Sequence, residues 1–442
     1  MLLLVSGCAI GPNYSKPEAI APEQWKEAGD WIVAKPSDAA PKGKWWEAFN
    51  DPVLDSLAEQ VSVTNQSLAA AEARYRQARA AVASARSGLF PTLSGSANAS
   101  RARGTGNRYS VALDAGWEID LWGRIRRLVE AARAGQEASA ADLEGARLSL
   151  QAELATNYFQ LRVTDAQRDL LDDTVKAFES SYKVTQNRYN AGVAARVDVV
   201  QAESQLLSTR AQAIDLEATR ASLEHAIAVL IGAAPADLTI QPAKFQVHMP
   251  DVPPGVPSTL LERRPDVAAA ERRMAAANAR IGVAEAAYFP ALSLNGAAGF
   301  ASDSLKTLFS APSRFWSIGA GLADTLLDFG ARGAAVDTSR AAYEETVANY
   351  RQIVLQSFQE VEDNLAAVHW LTEGSKVQEE AARAARESVV LTVNQYKAGT
   401  VSYLNVVQVQ ATQLNEERNT VNLLGRRLAA TVALIRAMGG TW

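Results

Sequence analysis

One cysteine and three histidines are all the thiol and imidazole chemistry that the 442 residues offer. His225, His248 and His369 are scattered, without the close spacing that holds a metal ion. No phosphate loop ending in Gly-Lys-Ser/Thr and no Gly-x-Ser-x-Gly elbow occurs. The stretch "GTGNRY" at 104–109 lies between two strand-like segments and reads as an exposed turn. "ERRPD" and "AERRM" within 262–274 interleave acids with bases, the pattern of a solvated helix face. No catalysis and no cofactor is therefore expected. Cys8 remains. A lone cysteine forms no intrachain disulfide. A buried thiol is its ordinary fate, yet residues 9–50 are rich in Pro, Lys and Ser and look loosely ordered. The third role is attachment. Val5-Ser6-Gly7 follows an apolar run and sets small residues before Cys8, the local chemistry of a signal-peptide end.

The elements that position any function must be long. Net charge is only −5, which argues against nucleic acid as a partner. No run of about 18 apolar residues occurs, so no helix is expected to span a bilayer; strands carry a weaker signal and stay open. Proline is absent between Pro91 and Pro235 and after Pro312. Proline breaks helix interiors at about 3 kcal/mol, so both windows permit very long helices.

The chain also echoes itself. "GLFPTLSGSANAS" (88–100) returns as "AYFPALSLNGAAG" (287–299), "DLWGRIRR" (120–127) as "LDFGARGAA" (327–335), and "NRYNAGVAARVDVVQ" (187–201) as "NQYKAGTVSYLNVVQ" (394–408). Gly123 and Gly330, Tyr189 and Tyr396, and Gly192 and Gly399 are each 207 residues apart. Three motifs in one order imply a duplicated unit. Each unit reads as a helix (about 53–87, then 265–287), a Phe-Pro stop, two short strands, a very long helix, an Asn-x-Tyr-x-Ala-Gly break and another helix. Val347, Val354, Val361, Val368, Ser375, Ala382, Val389 and Tyr396 fall on one seven-residue grid. Leu154, Leu161, Val175, Tyr182 and Tyr189 continue its phase in the first unit, with Arg168 as an interruption. Such a period means coiled-coil-like packing. From Gly123 to Tyr189 the helix would run roughly 100 Å.

In 109–119, Tyr109, Val111, Leu113, Trp117 and Ile119 alternate with small or acidic residues; 291–301 and 314–323 alternate more weakly. An apolar face against lipid requires a closed barrel, because open edges find no partner there. Four strands cannot close, since the smallest membrane barrels have about eight. Three chains would supply twelve, so the strand count itself points to an oligomer.

The motifs "CAIGPNYSKP" at 8–17, "WWEAFNDPVLDSLAEQ" at 45–60, "WEIDLWGRIRR" at 117–127, "LLERRPDVAAAERRMAAANARIGVAEAAYFPALSL" at 260–294 and "LLGRRLAATVALIRAMGG" at 423–440 run through the whole chain. On them the sequence resembles the TolC-like outer membrane factors, in the NodT-type lipoprotein branch. The resemblance implies a mainly α fold with a small β part and an internal two-fold repeat. It implies a homotrimer whose helices form an α-barrel and whose strands share a 12-stranded transmembrane β-barrel. The expected organisation is a signal-peptide remnant (1–7), a lipid-anchored extended segment (8–50), repeat 1 (51–234), an equatorial linker (235–264) and repeat 2 (265–442). Lipidation falls on Cys8. The function implied is the exit duct of a tripartite efflux pump in the bacterial outer membrane, extending into the periplasm. Its partners would be outer membrane lipid, a periplasmic adaptor and an inner-membrane transporter of the RND type. The duct of a type I protein secretion system is the alternative. The family sets its two glycine turns at a closed periplasmic tip, making Tyr189, Ala191, Gly192, Tyr396, Ala398, Gly399 and Thr400 adaptor contacts. The aperture maps to Leu404, Asn405 and Gln408; where relatives carry an aspartate, this chain has an amide. Asp198 would help close the tip, with Arg196 of a neighbour as its partner.

Overall fold

A computed structural model describes residues 9–16, 22, 25–26, 43–104, 106–245, 248–250, 252 and 263–440. Cys8, the segment 1–7 and much of the expected anchor segment 8–50 and linker 235–264 lie outside the described residues. The chain forms two compact units, one of residues 71–143 and 265–354 with the stretch 9–16, the other of residues 43–70, 144–264 and 355–440 so far as they are described. The regular elements are α1 (Pro52–Thr64), α2 (Gln66–Ser87), β1 (Thr92–Ala102), β2 (Gly106–Ile119), α3 (Arg124–Asn190), α4 (Arg196–Leu230), α5 (Pro265–Ala286), β3 (Ala291–Ser302), β4 (Arg314–Ala323), α6 (Ala331–Lys397) and α7 (Tyr403–Ala437). The fold is mainly helical. α3 and α6 have 67 residues each, and α4 and α7 have 35 each. No helix among the described residues is long and apolar enough to cross a membrane.

In the first unit the four strands make one antiparallel sheet in the order β1-β2-β3-β4. Its register puts like with like. Val111 faces Phe300, Trp117 faces Leu294 and Ile119 faces Leu292; Ala298 faces Trp316, and Leu292 faces Leu322. These residues share one face because side chains two apart point the same way. The other face carries Ser94 opposite Asp114 and Asn98 opposite Ser110. The apolar face is bare: Trp316 is 78% exposed and Ile318 81%. β1 and β4 each have one unpaired edge among the described residues. The expected turn at 104–109 is shorter than its sequence suggests. Asn107 to Tyr109 already belong to β2 and pair with Arg101 to Ala99.

Each long helix of this unit starts on an aspartate. Asp120 accepts from the backbone N–H groups of Ile125 and Arg126, both at 2.9 Å. Asp328 does the same for Gly330 at 3.1 Å and Arg332 at 3.2 Å. These bonds satisfy donors that a helix start leaves open. Residues 9–16 form a strap across α3 and α5. Ile10 N–H donates to the Trp122 carbonyl at 3.0 Å. Buried Arg127 donates to the carbonyls of Ile10 (3.1 Å) and Gly11 (3.0 Å) and to Asn13 Oδ1 (3.0 Å). Asn278 donates to the Pro12 carbonyl at 2.9 Å, and Lys16 pairs with Glu271 at 3.3 Å. A Cβ at Gly282 would stand 2.7 Å from the Ile10 carbonyl oxygen, so only glycine admits the strap there.

In the second unit "WWEAF" is a short 3-10 turn that buries Trp45, Trp46 and Phe49, with Phe49 4.8 Å from the Phe159 ring. The helix expected over 53–87 is broken at Asn65, whose ψ is 123°. Asn65 Oδ1 accepts from Leu68 N–H at 2.9 Å and its amide donates to the Leu230 carbonyl at 2.7 Å. It both caps α2 and ties α2 to the end of α4. Most grid positions of α3 and α6 are buried, Leu154, Leu161, Val354, Val361, Ala382 and Tyr396 among them. Arg168 interrupts the grid by pairing with Glu217 at 2.9 Å. Tyr189 departs from it: it is exposed.

A chain of buried and half-buried polar groups holds the described start of the linker. Tyr158 donates to Asp51 at 2.6 Å, and Arg162 Nε reaches the Tyr158 hydroxyl at 3.0 Å. Arg162 Nη1 donates to Asp165 at 3.2 Å and to the Gln241 carbonyl at 2.8 Å. Arg220 Nε meets the other Asp165 oxygen at 2.8 Å, and its Nη2 donates to the Ile240 carbonyl. Ile240 N–H donates to Glu224 at 2.5 Å.

Candidate functional site at the hairpin tips

Both helix hairpins turn through the same hydrogen-bonded motif. Gly192 has φ 77° and Gly399 φ 78°, left-handed values that glycine adopts without a side-chain penalty. Val193 N–H donates to Arg188 O and Gly192 N–H to Tyr189 O, both at 2.9 Å. Thr400 N–H donates to Gln395 O and Gly399 N–H to Tyr396 O, both at 3.0 Å. Each pair closes a Schellman motif and satisfies helix-terminal carbonyls. Ala191, Gly192, Ala398, Gly399 and Thr400 are left exposed, as is Tyr189.

Beneath the turns, four helices contribute to one apolar cluster. Ala202, Tyr396, Tyr403 and Val406 are buried together, with Tyr182, Val393, Val401 and Val407 against them. The Tyr396 and Tyr403 rings lie 5.3 Å apart. So the two motif tyrosines differ: Tyr189 is at the surface, while Tyr396 is core.

Arg188 joins the tips. Its guanidinium stacks over the Tyr396 ring at 4.7 Å, and Nη1 donates to the carbonyls of Tyr396 and Lys397, both at 3.4 Å. A cation there meets the ring face and the negative end of α6 at once. Sequence reasoning missed both Arg188 and Tyr403. The available signal was asymmetry: Arg188 in "NRYNAG" stands where "NQYKAG" has Gln395.

The residues read as the aperture lie on α7. Leu404, Asn405 and Gln408 are exposed, next to buried Tyr403 and Val406. Asn405 Oδ1 accepts from the Ser402 hydroxyl at 3.0 Å. On α4, Asp198 is half-buried and Arg196 exposed. Among the described residues of the single chain, no ion pair joins these two.

Burial pushes the Tyr403 phenol up to about 12, aided by the fields of Tyr396 and Asp198 and opposed by a hydrogen bond with Thr185. A phenol ordinarily ionises near about 10. The neutral form is the one the cluster holds. Its stabilising contribution is complete below pH ~10 and is lost as pH rises toward about 12. Ultraviolet titration of phenolate should show a step near about 12 that is missing in Tyr403→Phe. An unchanged titration in that variant would remove Tyr403 from the account.

No cluster of three or more His, Cys, Asp or Glu suited to a metal occurs among the described residues. The model of the outer membrane efflux protein family matches residues 57–233 and 256–440. The chain belongs to the outer membrane efflux protein family. Among its relatives, the pyoverdine export outer membrane protein OpmQ of Pseudomonas aeruginosa is 31% identical over 457 residues, covering 100% of this chain and 95% of the relative. The probable efflux pump outer membrane protein TtgC of Pseudomonas putida is 30% identical over 454 residues, covering 99% of this chain and 94% of the relative. The solved structure of the outer-membrane channel OprN superposes with a TM-score of 0.91 at 31% identity, over 98% of this chain and 99% of that one. As a member of the efflux protein family, this chain serves outer membrane efflux.

Proposed function

We propose that this chain is the outer membrane exit duct of a tripartite efflux pump. It passes small molecules passively from a periplasmic adaptor and an RND-type inner-membrane transporter to the outside. The observation that carries the reading is the sheet: four strands with one bare apolar face and two unpaired edges, on a chain of the efflux protein family. An open sheet of this kind suits lipid only when other chains close it. A homotrimer with twelve strands does so, and the equal lengths of α3 with α6 and α4 with α7 support a two-fold duplication that would make the trimer nearly six-fold. The exposed tip residues Tyr189, Ala191, Gly192, Ala398, Gly399 and Thr400 are the adaptor contacts; Tyr396 acts from beneath as their support. Asp198 and Arg196 meet between protomers. Lipidation of Cys8 is supported by its neighbours, since Ala9 and Ile10 lie against the strand-to-helix crossing at Gly123 and Trp122. Light scattering of the full chain in detergent should give a trimer, and planar bilayers should show ion conductance. A monomer that conducts nothing would sink the reading.

The aperture makes a sharper claim. Exposed Gln408 gives a ring of amides, which does not concentrate cations as a ring of carboxylates does. Trivalent cations should block the Gln408→Asp channel at least roughly tenfold more tightly than the wild type. Tight block of the wild type would exclude an amide ring at the narrowest point.

A further inference from the structure

Within the first unit, two strand-to-helix crossings are alike in sequence and opposite in cover. After β2 the chain reads Trp122-Gly123, and after β4 it reads Phe329-Gly330. Before β3 stands Phe289-Pro290, and before β1 stands Phe90-Pro91. Trp122 lies on Phe289 with ring centroids 4.9 Å apart, and its indole N–H donates to the Pro290 carbonyl at 2.8 Å. Phe329 has no such cover and is 92% exposed; Phe90 is 67% exposed. Phe329 also holds φ at 53°, in the left-handed region. A bulky L residue adopts that region only at a cost. A solvent-exposed aromatic ring in a costly backbone conformation points to a contact beyond its own chain.

The strands repeat the contrast. β2 and β3 are neighbours, with Ile119 opposite Leu292. Leu326 follows Ile119 by 207 residues, as Phe329 follows Trp122, and Leu93 precedes Leu292 by 199, as Phe90 precedes Phe289. Leu326 and Leu93 are both bare. Every part of the β2–β3 crossing thus recurs at β4 and β1, on the two opposite edges of one sheet. Three strand spacings, about 14 Å, separate those edges, so one chain cannot bring the parts together. A second copy can.

We propose that Phe329 of one copy seats on Phe90–Pro91 of the next, with Leu326 opposite Leu93, repeating between copies the contact that Trp122 makes with Phe289–Pro290 within one. This rests on the oligomer reading above and adds the residues and the register. Phenylalanine has no indole N–H. The contact between copies therefore keeps the ring packing and lacks the bond to the proline carbonyl, which makes it the weaker of the two crossings.

The test uses the full chain with Cys8→Ser, leaving no other thiol. Leu93→Cys with Leu326→Cys, oxidised in detergent, should give disulfide-linked dimers and trimers on a non-reducing gel. Leu93→Cys with Leu322→Cys, four residues out of register, should not. Light scattering on the same samples separates the two readings. A trimer without the Leu93–Leu326 link overturns the junction and leaves the trimer standing; a monomer overturns both. Phe329→Gly provides an independent arm. Glycine accepts φ 53° and the ring is almost wholly exposed in its own chain, so helix and strand content should be unchanged while trimer dissociation rises roughly tenfold or more. Phe329→Trp should keep the trimer intact. If Phe329→Gly dissociates no more than the wild type, the ring meets lipid and the seat is wrong.

Discussion

Asp165→Asn is expected to cost roughly 3–5 kcal/mol of stability, because it leaves the buried Arg162 guanidinium without its carboxylate and half-buried Arg220 with Glu224 alone. Asp165 is 3% exposed and takes Arg162 on one oxygen and Arg220 on the other, at 3.2 and 2.8 Å. The damage extends to the linker, since the same two arginines hold the carbonyls of Gln241 and Ile240. Urea unfolding in detergent, followed by circular dichroism, reads the loss. Adding Arg162→Met to Asp165→Asn should recover part of it, because the deeper guanidinium is then no longer stranded and Arg220 keeps Glu224 at 3.4 Å. A loss below about 1 kcal/mol would mean that the exposed side of the network supplies another acceptor.

Arg188→Ala should uncouple the two hairpin tips at a cost of about 2 kcal/mol, the size of a partly desolvated cation–π contact. Two long bonds to helix-end carbonyls are lost with it. The tip is already loosely satisfied: the Tyr396 hydroxyl and Arg188 Nε are buried without hydrogen-bond partners among the described residues. Segments that must move are drawn from this low-stability end of a structure. Hydrogen exchange of amides 393–407 should accelerate by roughly tenfold to thirtyfold in Arg188→Ala, following its cost. Arg188→Lys should not rescue it, since a point charge neither stacks flat nor spans two carbonyls. Unchanged exchange in Arg188→Ala would show that the apolar cluster alone couples the hairpins.

The long helices were legible because their signals are local and repeated: proline-free windows, good helix formers and a seven-residue grid. The strands were legible in type for the same reason, through the alternation of Val111, Leu113 and Trp117 with small residues. What was not legible depends on partners far along the chain. Asn65 breaks a helix-forming stretch because it meets Leu230, 165 residues away. Asp165 looks like one more acid on a charged helix until Arg220 and the linker close over it. The two tip tyrosines share one motif, yet the residue ahead of each differs, and only Arg188 reaches across to the other hairpin. Glycine spacing announced the turns. It was silent on which ring lies beneath them.

The strap at residues 9–16 has a mechanical consequence. Three Arg127 bonds to Ile10, Gly11 and Asn13, the Ile10–Trp122 bond and the Asn278–Pro12 bond lie within a few residues of one another. Tension applied to the chain ahead of Ala9 is shared among them and enters α3 and α5 directly, as load enters a plate through a row of rivets. Yielding requires several bonds to fail together, and Arg127, 3% exposed, would then be a buried cation stripped of three acceptors. Whatever holds the polypeptide upstream therefore pulls on the scaffold of the duct itself and not on a slack leash.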